Sequence, residues 1–136
     1  MLVADASLVV DLLIDGGERS AWAEERVSAA GRLHAPHVLD FEVAAALRNL
    51  VLRREISERS AAGSLRTFGE LPVRRYPAAP LLERIWQLRH RFTPYDAAYV
   101  ALAEALAIPL ATTDDRVARA GGHDAEIVTF GQPAGG

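Results

Sequence analysis

Four carboxylates stand where a chain can use them for chemistry. Asp5 follows the apolar run "LVA". Asp114 follows "PLATT". Asp96 opens "DAAYVALAEAL", and Glu42 interrupts "VLDFEVAAAL". Each has a modest structural use. Asp5 can cap the helix that follows it, and Asp114 or Asp115 can do the same for "RVARA". Thr93, Pro94 and Asp96 fit a helix start, with Asp96 in the capping-box place. Glu42 can be an acid favoured by the dipole of a first turn.

Taken together, the four ask for more. Glu42 stands among Phe41, Val43, Ala45 and Ala46. Asp96 precedes Ala97–Leu106, where the only other charge is Glu104. A buried carboxylate without a partner is costly. Two carboxylates ~4 Å apart repel by about 4 kcal/mol at an effective dielectric near 20. Three or four brought together stay ionised only around a cation. Hard divalent ions take oxygen ligands, and Mg²⁺ combines a few carboxylates with waters and phosphate oxygens. Such ions activate water and stabilise the leaving oxygen of a phosphodiester.

Smaller groups surround these acids. Ser7 and Thr112 are hydroxyls near strand ends; they either satisfy backbone groups or orient ligands and waters. Asn49 lies seven residues after Glu42, on the same helix face, where it can orient a carboxylate or a water. Tyr95 and Tyr99 flank Asp96 and are expected to pack. His34, His37, His90 and His123 are scattered, without metal-ligand spacing, and are expected on the surface or in loops.

The elements that must position these groups alternate between strand and helix. Strands are expected at "LVAD", "RLHAP", "PVRRYP", "IPLATT" and "AEIVTF". Helices are expected at "ASLVVDLLIDGG", "ERSAWAEERVSAAG", "HVLDFEVAAALRNLVLRRE", "SERSAAGSLRTFGEL", "APLLERIWQLRHRF", Pro94–Ala107 and "DDRVARAGG". Alternation of this kind predicts an α/β protein with a mainly parallel sheet covered by helices on both faces. Sites in such sheets form beyond the carboxyl ends of strands, near a switch in strand order. Asp5 and Asp114 end strands and would meet there if those strands are neighbours.

Composition bounds the rest. The chain has 136 residues, half of them apolar, which suits one domain with a single core. Residues 1–131 are expected to form that domain and 132–136 a frayed tail. No apolar run has membrane length. "MLVADAS" lacks a basic leader region, so a cytoplasmic protein is expected. There is no cysteine, which excludes disulfides, thiolate metal sites and a cysteine nucleophile. All fifteen basic residues are arginine, which excludes a P-loop lysine or a Schiff base. The net charge of −3 speaks against a nucleic-acid partner until the four acids are set aside. Then 15 basic residues face 18 − 4 = 14 acidic ones. Arg48, Arg53, Arg54, Arg89, Arg91, Arg116 and Arg119 are available to phosphate, with Arg116 next to the acidic pair.

"VADAS", Glu42 with "AALRN", "TPYDAAYVALAEAL" and "PLATTDDRVARA" together resemble the PIN domain, and more narrowly the VapC toxins of bacterial toxin–antitoxin pairs. The resemblance runs in order along nearly the whole chain. It implies a three-layer α/β/α fold and an endoribonuclease dependent on Mg²⁺ or Mn²⁺. Asp5, Asp96 and Asp114 would hold the metal directly or through water. Glu42 would either ligate it or orient the attacking water. Ser7 and Thr112 are the neighbouring hydroxyls. Asp115 departs from the pattern, as a helix cap or an outer acid. The resemblance also implies a homodimer and a cognate VapB-type antitoxin docking on apolar helix surface, with Leu12, Leu13 and Trp22 as candidates or else as core. Two other readings compete. A PIN-like module that binds RNA or protein without cutting keeps the fold but does not need all four acids. An aspartyl-phosphate enzyme needs a second acid near Asp5 and a lysine, and has neither.

Overall fold

The structure is a computed structural model in which residues 1–14 and 16–131 are described. The expected tail at 132–136 lies outside the described residues. Five strands form one sheet: β1 (Leu2–Ala4), β2 (Leu33–Pro36), β3 (Val73–Tyr76), β4 (Leu110–Thr112) and β5 (Ile127–Thr129). Their order is β3-β2-β1-β4-β5, and every pairing is parallel. The expected mainly parallel sheet is thus wholly parallel among the described residues. β1 is central, and Leu2, Val3 and Ala4 are all buried, as a strand covered on both faces requires.

Seven α-helices connect the strands: α1 (Ala6–Leu13), α2 (Gly17–Ala30), α3 (Val38–Leu52), α4 (Glu58–Glu70), α5 (Leu82–Gln87), α6 (Pro94–Leu106) and α7 (Asp115–Arg119). α1 packs against α2, α3 and α4, whereas α6 packs against α5 and lies on β1, β2 and β4. Strand order steps one way from β1 to β3 and the other way through β4 and β5. With right-handed crossovers, that reversal puts the two helix groups on opposite faces of the sheet. The result is the expected three-layer architecture.

α6 is the buried helix of the set. Ala97 to Ala103 are all under 10 % exposed, and small alanines let it lie close to the sheet. Its start follows the expected chemistry, since Thr93 Oγ1 accepts from the Asp96 amide at 3.2 Å with Pro94 behind it. The helix expected over "APLLERIWQLRHRF" is shorter than its pattern. A 3₁₀ turn at Ala79–Leu81 leads into α5, which stops at Gln87. The chain then turns so that Leu88 and Phe92 are buried while Arg89, His90 and Arg91 face outward. Burying two apolar residues outweighs continuing a helix through three adjacent basic ones.

Candidate active site

The reversal of strand order falls between β1 and β4, the neighbouring strands that end in Asp5 and Thr112. This is the crevice where parallel α/β sheets place their ligands. Asp5 caps α1. Its Oδ1 accepts from the Leu8 amide at 3.0 Å and from Ser7 Oγ at 2.6 Å. Its Oδ2 accepts from the Thr112 hydroxyl. The two hydroxyls lie 3.1 Å apart and are themselves tied to backbone. Thr113 N donates to Ser7 Oγ at 3.1 Å, and Asp114 N donates to Thr112 Oγ1 at 2.9 Å. Ser7 and Thr112 therefore have the backbone role expected of them, and they also contact Asp5. They satisfy backbone amides and fix the rotamer of Asp5.

Asp114 caps α7 through the Arg116 amide at 2.9 Å, so the choice between Asp114 and Asp115 resolves to Asp114. Asp115 sits exposed in the first turn of α7. The Arg116 guanidinium grips the Asp114 carboxylate through both oxygens, at 2.9 and 3.3 Å. Glu42 is the fifth residue of α3, one turn deeper than the expected helix start. Asp40 takes the first-turn place and pairs with Arg75 at 2.8 Å. A dipole role thus does not account for Glu42. Its Oε1 accepts instead from Tyr99 Oη at 2.6 Å, across the top of the sheet from α6.

The electrostatics show that these acids feel one another. Burial pushes the Asp5 carboxyl up to about 6, and the charge of Asp114 adds to this against the hydrogen bonds from Ser7, Thr112 and Leu8. Burial also raises Glu42, opposed by the Tyr99 hydroxyl and assisted by Asp96. Asp96 is raised by burial and then by Asp114, with Thr93 and Arg116 opposing. Asp114 alone is held below the usual range, chiefly by its hydrogen bond from Arg116. Tyr99 is raised by burial and by Glu42 and remains a hydrogen-bond donor. Three of four acids are thus strained toward neutrality, and the fourth is compensated by an arginine.

Among the described residues, no group of three or more His, Cys, Asp or Glu side chains is arranged to hold a metal ion. Mg²⁺ keeps several waters and binds through one or two carboxylates plus substrate phosphates. The donors here are all oxygen, only Asp114 is matched by a basic side chain, and Asp96 and Glu42 each open to a flanking cavity. One, of 490 Å³, runs past Asp96 and Arg116; the other, of 430 Å³, runs past Ser7, Glu42 and Asn49. Such a donor set fits a hard divalent ion.

Asn49 shares the second cavity with Glu42, as their spacing predicts, and its Oδ1 accepts a hydrogen bond from Arg48 at 3.4 Å. Asp11 lines the same cavity and was not anticipated. Its spacing of four from Ser7 on α1 was the available signal. Tyr99 was expected only to pack; it is buried, and it also holds Glu42. Tyr95 does not pack and is 59 % exposed. His34 is buried in β2 and bonds the Tyr76 hydroxyl at 2.7 Å, contrary to the surface place expected for it. A central strand of a covered sheet buries whatever residue it carries. Leu12, Leu13 and Trp22 are half-buried against the core.

The crevice at the switch point of this parallel α/β sheet is thus lined by acids from separate parts of the chain. The chain belongs to the PIN domain family, whose model matches residues 2–123. It is 43 % identical over 127 residues to ribonuclease VapC12 of Mycobacterium tuberculosis, covering 93 % of this chain and 97 % of that one. It is 48 % identical over 126 residues to ribonuclease VapC1 of the same organism, covering 92 % and 94 %. Among solved structures it resembles PAE2754 from Pyrobaculum aerophilum, with a TM-score of 0.69 at 22 % identity over 93 % of this chain and 81 % of that one. It also resembles M. tuberculosis VapC20, a toxin that cleaves the sarcin–ricin loop, with a TM-score of 0.64 at 19 % identity over 87 % and 93 %. At those identities the structures speak for the fold.

Proposed function

We propose that this protein is a divalent-metal-dependent endoribonuclease acting as the toxin of a toxin–antitoxin pair. The single observation that carries the proposal is the set of four mutually repelling acids at the β1–β4 switch point. Relatives that are ribonucleases over nearly their whole length support the same reading. A module that binds without cutting is not favoured, because nothing in its work requires that repulsion to be kept.

When bound, Mg²⁺ or Mn²⁺ would acidify a water and stabilise the leaving oxygen of the phosphodiester. Asp5, Asp96 and Asp114 are assigned to hold the ion directly or through water. Ser7 and Thr112 hold Asp5 in place. Tyr99 occupies one oxygen of Glu42, and the other is left for the ion or for the attacking water. Arg116 neutralises Asp114 until a cation takes over that task, and is then available to phosphate. Asn49 is assigned to the polar lining of the second cavity, and Asp115 to the outer rim.

The proposed partners are RNA and a VapB-type antitoxin, with the protein a homodimer working in the cytoplasm. No helix among the described residues is long and apolar enough to cross a membrane. An apolar groove of 280 Å³ between α3 and α4, with Leu52 and Leu65 exposed at 63 % and 47 %, suits an antitoxin segment better than the core-packed Leu12, Leu13 and Trp22. Expression of the chain alone in a bacterial host tests the function. New RNA 5′ ends at recurrent positions, absent with Asp96→Asn, are expected. Full expression with no new ends would overturn the proposal.

A further inference from the structure

The two cavities beside the acids differ in charge. The one past Glu42 is lined by Asp11 and by apolar Ala6, Val10, Ala45 and Ala46. It offers a phosphate little. The one past Asp96 is rimmed by Arg89, Arg91 and Arg116, with His90 and Thr93 between. Its 490 Å³ lies in the range of sites that hold ligands of nucleotide size.

Arg89 and Arg91 are held without being neutralised, whereas Arg116 is paired with Asp114. Arg89 Nη1 donates to the Trp86 carbonyl at 2.8 Å, and its guanidinium lies 4.6 Å from the centre of the Trp86 ring. Arg91 lies across Gly121 and Gly122. A Cβ at Gly122 would stand 3.4 Å from its Nε, so the glycine leaves room for the side chain. Among the described residues neither Arg89 nor Arg91 has a carboxylate partner within salt-bridge distance. Tyr95 stands in sequence between the cavity-lining Pro94 and Asp96 and is itself exposed.

We infer that this arginine-rimmed cavity is a subsite for single-stranded RNA. Arg89, Arg91 and Arg116 take backbone phosphates next to the scissile one, and Tyr95 stacks a neighbouring base. The inference rests on the ribonuclease reading above and deepens it. A basic track interleaved with an exposed aromatic ring is how single strands are held. A duplex keeps its bases stacked on each other and offers Tyr95 no face. The acidic second cavity makes the path one-sided, so the strand is gripped mainly on the Asp96 side of the cut.

The test is fluorescence anisotropy with a labelled single-stranded oligoribonucleotide of mixed sequence, in excess chelator, across a range of KCl concentrations. Wild type is expected to bind at low salt and to prefer the single strand over the same sequence as a duplex. Arg89→Ala/Arg91→Ala should bind at least about tenfold more weakly, with the log–log salt slope reduced by about 1.4, or about 0.7 for each lost phosphate contact. Arg91→Lys should restore its share of the slope. Tyr95→Ala should weaken single-strand binding at least about fivefold with the slope unchanged. Wild-type affinity and slope in the double arginine variant overturn the inference, as does equal binding of duplex or no measurable single-strand binding at low salt. Unaltered binding by Tyr95→Ala overturns the stacking assignment. Because no cleavage is involved, these outcomes are separate from the ribonuclease reading, which cleavage assays with Mg²⁺ or Mn²⁺ test on their own.

Discussion

Tyr99 of α6 donates a 2.6 Å hydrogen bond to Oε1 of Glu42 on α3, joining two helices that reach the acidic crevice from different parts of the chain. Tyr99 is 2 % exposed, so the contact is built into the core rather than laid on the surface. It fixes one oxygen of Glu42 and opposes the upward push that burial gives its carboxyl.

Tyr99→Phe keeps the ring and removes the donor. Glu42 then loses the contact that favours its charged form, so its pKa rises further. If catalysis needs ionised Glu42, the acid limb of the kcat/KM profile moves to higher pH. Stability falls by roughly 1–3 kcal/mol, the range for a hydrogen bond to a charged group. A pH–rate profile together with chemical denaturation checks both. An unmoved acid limb would remove Glu42 from the reaction.

Asp5 gives a stability prediction for the metal-free protein. Its folded value, about 6, lies above the unfolded value near 3.8. A group raised in this way favours folding below its unfolded pKa, and the contribution is lost as pH rises through about 6. The contribution of Asp5 should therefore make the metal-free protein more stable near pH 5 than near pH 7.5, by about 1.4 kcal/mol for this group. Asp5→Asn should flatten that slope, and scanning calorimetry across the range measures it. A metal-free wild type that loses stability steadily from pH 7 to 5 would contradict the assigned burial.

Arg116 competes with any cation for Asp114. Arg116→Ala removes a positive charge from the crevice, frees Oδ2 of Asp114 and leaves Oδ1 only its bond from the residue 116 amide. Mn²⁺ binding by titration calorimetry should tighten roughly two- to fivefold, the scale of an exposed ion pair. Weaker binding in the variant would mean that Arg116 positions Asp114 rather than masking it.

Much of this site is legible in the sequence, because its acids sit at element boundaries. Asp5 and Asp114 end apolar runs, and Asp96 follows Thr93 and Pro94, so local chemistry alone places them at helix starts. Whether Asp5 and Asp114 meet turned on β1 and β4 being neighbours, which alternation alone leaves open and the strand order supplies. What local pattern does not carry is depth. Glu42 lies one turn into α3, and only the packing of α6 explains what steadies it there. Asp11 needed the orientation of α1, and the burial of His34 needed its place in a covered strand. The early end of α5 needed the competition between burying Leu88 with Phe92 and extending a basic helix. Each of these turns on contacts between elements far apart in the chain.

The central claim is that four carboxylates at the β1–β4 switch point hold a divalent ion that cuts RNA. Asp96→Asn tests it with the least disturbance, since the Thr93 hydroxyl accepts from the backbone amide of residue 96, which asparagine keeps. The decisive measurement is the rate of RNA cleavage by the purified wild-type chain and by Asp96→Asn, matched in thermal unfolding, with Mn²⁺ and in excess chelator. The account predicts fragments from wild type only when metal is present, and a loss of at least about a hundredfold in the variant, the scale of removing one group that stabilises a transition state. Fragments that persist in chelator, or that the folded variant produces at the wild-type rate, would contradict it.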